Sequence, residues 1–149
     1  MKSLSSALIL AAVIAAAPAE ADVTFKHISG EESAHAFKGK SLSSPIADGP
    51  QFNMSFHKRI ESSHVEKHMG WDEELVIQEG DVLLNYGDSA SNPRQNSPGE
   101  FNGDAVTGGK SVMLHPGDVV ILPAGLWHQQ VLKSPTMRYI LFKTRKPAG

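Results

Sequence analysis

From residue 52 onward the chain alternates with a period of two. Phe52, Met54 and Phe56 are separated by Asn53, Ser55 and His57, and the pattern runs through Lys58 and Arg59 to Ile60. Side chains two apart share a face of a strand, so this stretch predicts a strand with one face packed. Short apolar runs of strand length follow at residues 75–78, 82–86, 111–115, 119–122 and 127–133, and residues 137–144 alternate again. Glu79-Gly80-Asp81 and Pro116-Gly117-Asp118 punctuate them as turns, and Pro123-Ala124-Gly125 breaks the run before it. Many short strands with turn signals between them predict an all-β sandwich or barrel. Residues 88–99, rich in Ser, Asn, Pro and Gly, read as a long loop, flexible or a lid. Residues 23–40 are poorly periodic and predict an arm with a short helical turn near residues 31–37; residues 41–50 read as a loop.

The first residues follow a different rule. Lys2 supplies a positive start, residues 8–17 are apolar and uncharged, and Ala19-Glu20-Ala21 is a small-residue cleavage site. That is the pattern of a secretory signal peptide over residues 1–21. A membrane anchor needs a run of about 18 or more apolar residues, and Pro18 and Glu20 stop this one short. The domain plan is therefore a leader (1–21), an arm and loop (22–50) and one β domain (51–145), with no membrane contact after cleavage. The 149 residues include no cysteine, which excludes disulfides and thiolate metal sites and suits a periplasmic or secreted protein. A net charge of −2 with interspersed signs argues against a nucleic-acid groove.

The chemistry concentrates in two places. If residues 63–69 are extended, His64, Glu66 and His68 project from one face, two imidazoles and a carboxylate where a core is expected. Glu73 shares its face with Leu75 and Ile77, and a buried carboxylate is costly unless paired or metal-bound. His128 follows the Pro123–Gly125 break and, if inward, shares a face with Gln130 and Leu132. Glu66, His68, Glu73 and His128 together offer nitrogen and oxygen ligands suited to Mn, Fe, Co, Ni or Zn. The competing local reading is a helix, with Ser63-x-x-Glu66 as a capping box and His64 and His68 four apart. The zinc-protease pattern needs Glu at position 65, where Val65 stands, and Gly70 would end such a helix at once.

These two segments resemble the cupin family. Its second motif is G-x5-P-x-G-x2-H-x3-N; Gly117, Pro123, Gly125 and His128 match it, and Leu132 stands in place of Asn. Its first motif is G-x5-H-x-H-x(3,4)-E-x6-G; His68, Glu73 and Gly80 match, Glu66 occupies the first His position, and Ile60 the opening Gly. The resemblance implies a cupin-like β-barrel (double-stranded β-helix, or jelly roll) of two antiparallel sheets around a divalent metal. Carried over position by position, the metal ligands would be Glu66, His68, Glu73 and His128. The His-to-Glu departure at Glu66 leaves the metal open and keeps His64 as an alternative ligand or an acid/base.

Cupins range from dioxygenases, isomerases and lyases to plain binding proteins, so the expected function is a metal-dependent enzyme acting on a small organic molecule. The alternative is a non-catalytic module binding a small molecule or sugar, and an exposed sheet edge would allow a homodimer. Met54, Phe56, Tyr86, Trp127 and Gln130 are candidate pocket residues by face and position. His27, His35, His57 and His115 read as surface, and Lys143, Arg145 and Lys146 as a solvated tail rather than an anion site.

Overall fold

A strand that buries one face needs its apolar residues two apart, and residues 71–79 and 137–145 meet this requirement most fully: Leu75, Ile77, Met137, Tyr139 and Leu141 are all buried. A computed structural model describes residues 25–38 and 42–146, so the expected leader lies outside the described residues. Among the described residues one helix, α1 (Gly30–Lys38), precedes thirteen strands: β1 (Ser43–Asp48), β2 (Phe52–Arg59), β3 (Val65–His68), β4 (Trp71–Glu79), β5 (Val82–Gly87), β6 (Ser89–Ala90), β7 (Arg94–Ser97), β8 (Glu100–Gly103), β9 (Val106–Thr107), β10 (Lys110–Leu114), β11 (Val119–Leu122), β12 (Trp127–Leu132) and β13 (Met137–Arg145).

The strands form two antiparallel sheets, ordered β1-β2-β13-β4-β11 and β10-β5-β12-β3-β8-β7, with β6 and β9 as a separate ribbon. Their inner faces share one core: Leu75, Ile77, Leu122, Met137, Tyr139 and Leu141 from the first sheet meet Val82, Leu84 and Leu114 from the second. The expected barrel does not close. Each sheet ends in two edge strands, β1 and β11 in one, β10 and β7 in the other. The turn between β10 and β11 shows why. Asp118 N–H donates to the His115 carbonyl, and Gly117 takes φ +95°. This tight reversal hands the chain from one sheet to the other, so β10 pairs with β5 and β11 with β4 rather than with each other. The result is an open sandwich.

Two further departures bear on the site. The alternation in β2 is real but faces the opposite way from a core strand's. Phe56 is buried outside the sandwich with Phe37 of α1 and Ile46 of β1, and Met54 packs against them. The Phe37 and Phe56 rings meet edge-on at 5.0 Å. Helix α1 is started by a capping box: Glu32 N–H donates to Ser29 Oγ and Ser29 N–H to Glu32 Oε2. With the apolar face of β2 under the helix, its polar face turns into the sandwich. The loop expected over residues 41–50 is instead largely β1, an edge strand whose register shifts between Pro45 and Ala47. An edge position and a bulge are where a sheet tolerates proline, so Pro45 hides the strand from a sequence reading. The expected loop at 88–99 likewise contains β6 and β7, with β8 continuing the second sheet beside β3.

Candidate metal centre

Three inward strands converge at one end of the sandwich. Glu66 and His68, two apart on β3, share a face, and β12 places His128 directly opposite Glu66. From the other sheet β4 contributes Glu73, on the same inner face as Leu75 and Ile77. Ligand atoms of Glu66, His68 and His128 lie within 4.8 Å of one another, a cluster able to hold a metal ion. Glu73 borders it: Oε1 is 3.5 Å from His68 Nε2 and Oε2 is 3.3 Å from His128 Nε2.

Both imidazoles are oriented from behind. His68 Nδ1 bonds the Glu100 carboxylate, its cross-strand neighbour on β8, and this leaves Nε2 facing the cluster. His128 Nδ1 donates to the Leu126 carbonyl at 3.2 Å, which likewise presents Nε2 inward. A partner on the outer ring nitrogen fixes tautomer and orientation in metal-binding histidines. The turn before β12 is pinned by Gly125 N–H donating to the His68 carbonyl and Ala124 N–H to Asp72 Oδ1. Gly125 holds φ +91°, so the glycine shared with the motif serves the turn that delivers His128.

His128 supplies the sharpest test of whether a metal fits. The residue is 2 % exposed, and its Nε2 has no hydrogen-bond partner although carboxylate oxygens lie 3.3 and 3.7 Å away. A buried imidazole nitrogen without a partner is costly, and a divalent cation ligated by two imidazoles and a carboxylate would satisfy it. Electrostatics agree. Burial pushes the Glu73 carboxyl up, but the His128 ring, the Lys143 ammonium and His68 outweigh it and hold its pKa at about 2. Burial lowers the His128 pKa, yet Glu73 and Glu66 outweigh that and raise it.

Above the cluster lies a cavity of about 350 Å³ between the sheets, with Glu66, His68 and Glu73 in its floor. That volume is at the small end of ligand pockets, which run from about 300 to 1,000 Å³. Its walls come from the polar face of β2 (Asn53, Ser55, His57, Arg59) and the inner face of β13 (Tyr139, Leu141, Lys143). Lys143 stands opposite Glu73 in the β13–β4 register, with Nζ 2.5 Å from Oε1. His57 stands opposite Tyr139 and stacks on it at 5.1 Å, with its Nε2 2.9 Å from Ser55 Oγ. Burial, then Arg59 and Lys143, lower the His57 pKa to about 4, so the ring is neutral at pH 7. Arg59 Nε donates to Gln130 Oε1 at 2.9 Å.

The sequence-predicted residues therefore divide. Glu66, His68, Glu73 and His128 come together, and Gln130 lines the cavity. His64 does not join them: β3 begins at Val65, and His64 is exposed just before it. Met54 and Phe56 lie on the outer side of the sheet, lining a separate apolar hollow beside Ile28. Trp127 is buried against Phe101 with Lys67 over its ring, away from the cavity. Tyr86 stands beside His128 in register but packs into the core. His57, read as surface, and Lys143, read as tail, are cavity walls, and Arg59 and Glu100 were not singled out at all. The signal available for three of these was their period-two spacing on strands: His57 and Arg59 on β2, and Lys143 two residues beyond Leu141.

No protein-family model and no curated protein sequence matches the chain. Among solved structures the fold is that of the cupin superfamily. BH2720 from Bacillus halodurans aligns with TM-score 0.60 at 13 % identity, covering 87 % of this chain and 89 % of that one. NMB1881 from Neisseria meningitidis gives 0.56 at 16 % identity, covering 80 % and 99 %. A cupin superfamily protein from Desulfitobacterium hafniense gives 0.52 at 17 %, covering 74 % and 87 %. Likeness at this level of identity establishes the fold and no particular activity.

Proposed function

We propose that the chain is an exported metal-dependent enzyme acting on a small organic molecule, of lyase, isomerase or dioxygenase type. Glu66, His68 and His128 hold a divalent ion and Glu73 completes the set, with Mn, Fe, Co, Ni and Zn all compatible with these donors. The carrying observation is the buried, unpartnered Nε2 of His128 aimed at two carboxylates. A metal in this position supplies Lewis-acid polarisation of a substrate oxygen. The chain's own residues do the rest. Glu100 and the Leu126 carbonyl keep both Nε2 atoms turned inward. Leu141 and Pro45 give one wall an apolar surface. His57, neutral and hydrogen-bonded to Ser55 rather than to a carboxylate, lines the cavity as a polar, uncharged group. Export to the periplasm or medium is supported by the leader-like residues 1–21 and the absence of cysteine; among the described residues no helix is long and apolar enough to cross a membrane.

The test is metal analysis of the purified mature protein with His68→Ala and His128→Ala alongside. One ion per chain in the wild type and loss in both variants is expected; unchanged metal content in both would refute the centre. Ligand-induced thermal stabilisation with no turnover of any ligand would mark a binding module instead.

A further inference from the structure

We propose that the cavity takes a small organic acid, its carboxylate bound by Arg59 and Lys143 beside the metal. The inference rests on the metal reading above and names the substrate class for that site. Two fixed cations face two carboxylates across the cavity: Arg59 and Lys143 against Glu66 and Glu73. Counting the Glu100 carboxylate behind His68, three negative side chains stand against these two cations, and a divalent ion held by Glu66, His68 and His128 would leave one positive charge in excess. Both cationic side chains are only about a quarter exposed, 27 % and 24 %, so solvent screens that excess poorly. An anionic ligand such as a carboxylate restores the balance.

The donors are available. Arg59 carries five N–H groups; Nε is committed to Gln130 and the guanidinium also bonds the Tyr139 hydroxyl, while the Nη2 contact to Glu66 is 3.8 Å, beyond hydrogen-bond range, so donors remain for a ligand. The Lys143 ammonium has three N–H groups, and among the described residues Glu73 is its one carboxylate contact. Ser55 and Asn53 on the same wall can bond a ligand hydroxyl or carbonyl, while Leu141 and Pro45 favour a short carbon skeleton. Phosphate is the less suited anion. Phosphate sites draw on helix N-termini or glycine-rich nests of backbone N–H groups. The one helix among the described residues lies outside the sandwich, and the cavity walls are strands whose N–H groups serve the ladders.

Full-chain mature protein loaded with metal is titrated with pyruvate, succinate and malate, and with erythritol and inorganic phosphate as controls. Binding is read by calorimetry and thermal shift, and metal content is measured before and after. At least one carboxylate is expected to bind, at least tenfold more weakly to metal-free protein, with neither control matching it. Arg59→Gln and Lys143→Gln keep the metal and lose carboxylate affinity at least tenfold. Carboxylates that bind both variants as they bind the wild type touch the metal alone and overturn the proposal, as does equal binding of erythritol or phosphate. Metal present with no carboxylate bound overturns this inference and leaves the metal centre standing. Wild-type protein that holds no metal overturns both.

Discussion

Lys143→Met tests the charge logic of the site most directly, because it deletes one cation and leaves the aliphatic stem. Glu73, with its side chain 6 % exposed, then loses a partner at 2.5 Å. Removing one member of a fully buried pair costs about 3–5 kcal/mol, whereas exposed pairs contribute about 0.2–1 kcal/mol. Here one partner is buried and the other a quarter exposed, which places the loss near 2 kcal/mol. The Glu73 carboxyl agrees in direction: its pKa is held at about 2 against an ordinary 4.5 although burial pushes it up, so its cations together more than offset the cost of burial. For a domain of this length, 2 kcal/mol lowers the melting temperature by about 6–10 °C. Because the folded pKa is depressed, this contribution is complete above the unfolded value and is lost as pH falls through about 2, so denaturant unfolding at pH 7.5 reads all of it. A bound divalent ion gives Glu73 a second counter-charge. In metal-loaded protein the loss should therefore shrink below about 1 kcal/mol, and by linkage the variant should bind metal roughly 5–10-fold more tightly. An equal loss with and without metal would refute the argument that Lys143 and the metal share one carboxylate.

Three other outcomes are expected. Glu100→Ala removes the group that orients His68 and should weaken metal binding about 10–100-fold in a chelator competition, as outer partners of metal-bound histidines commonly do. Gly80→Ala should cost about 2–4 kcal/mol in denaturant unfolding, since Gly80 sits at φ +83° and a Cβ there would meet the Thr136 carbonyl at 2.1 Å. His57 is protonated more readily unfolded than folded, so its neutral burial favours the fold above pH 6.5, and that contribution is lost as pH falls towards about 4. The melting temperature of His57→Gln should consequently fall less steeply than that of the wild type between pH 7 and 4.5; parallel curves would place the ring in solvent.

What the sequence made legible was governed by how local the signal is. Glu66, His68 and Glu73 lie within eight residues, and His128 follows a proline-glycine break that declares its own turn, so four converging residues were readable before any topology was known. Leu75 and Ile77 read as core for the same reason. The walls were not readable. Whether His57 and Arg59 face water or a cavity depends on which side of β2 is covered, and α1 covers the side that alternation alone assigns to the core. Lys143 looks like a charged tail until β13 is known to run beside β4, which sets it opposite Glu73. Glu100 sits in a stretch following a Ser-, Asn- and Pro-rich loop, and its importance comes wholly from pairing with His68 across two strands. Barrel closure failed as an expectation because strand count and turn spacing are common to sandwiches and barrels, and hydrogen bonding between edges separates them.

Strand β13 is the last described in chain order and the middle of its sheet, flanked by β2 and β4 along most of its length. Its pairings join the two ends of the domain, as where Thr144 meets Phe52. During synthesis β2 and β4 therefore wait for a shared neighbour that emerges only after everything between them. A nascent chain of this topology stays without its central sheet until elongation has passed Arg145, and contacts so distant in sequence form slowly even then. Such a delay means that the site, whose wall includes Lys143, assembles at the end of folding rather than at its start.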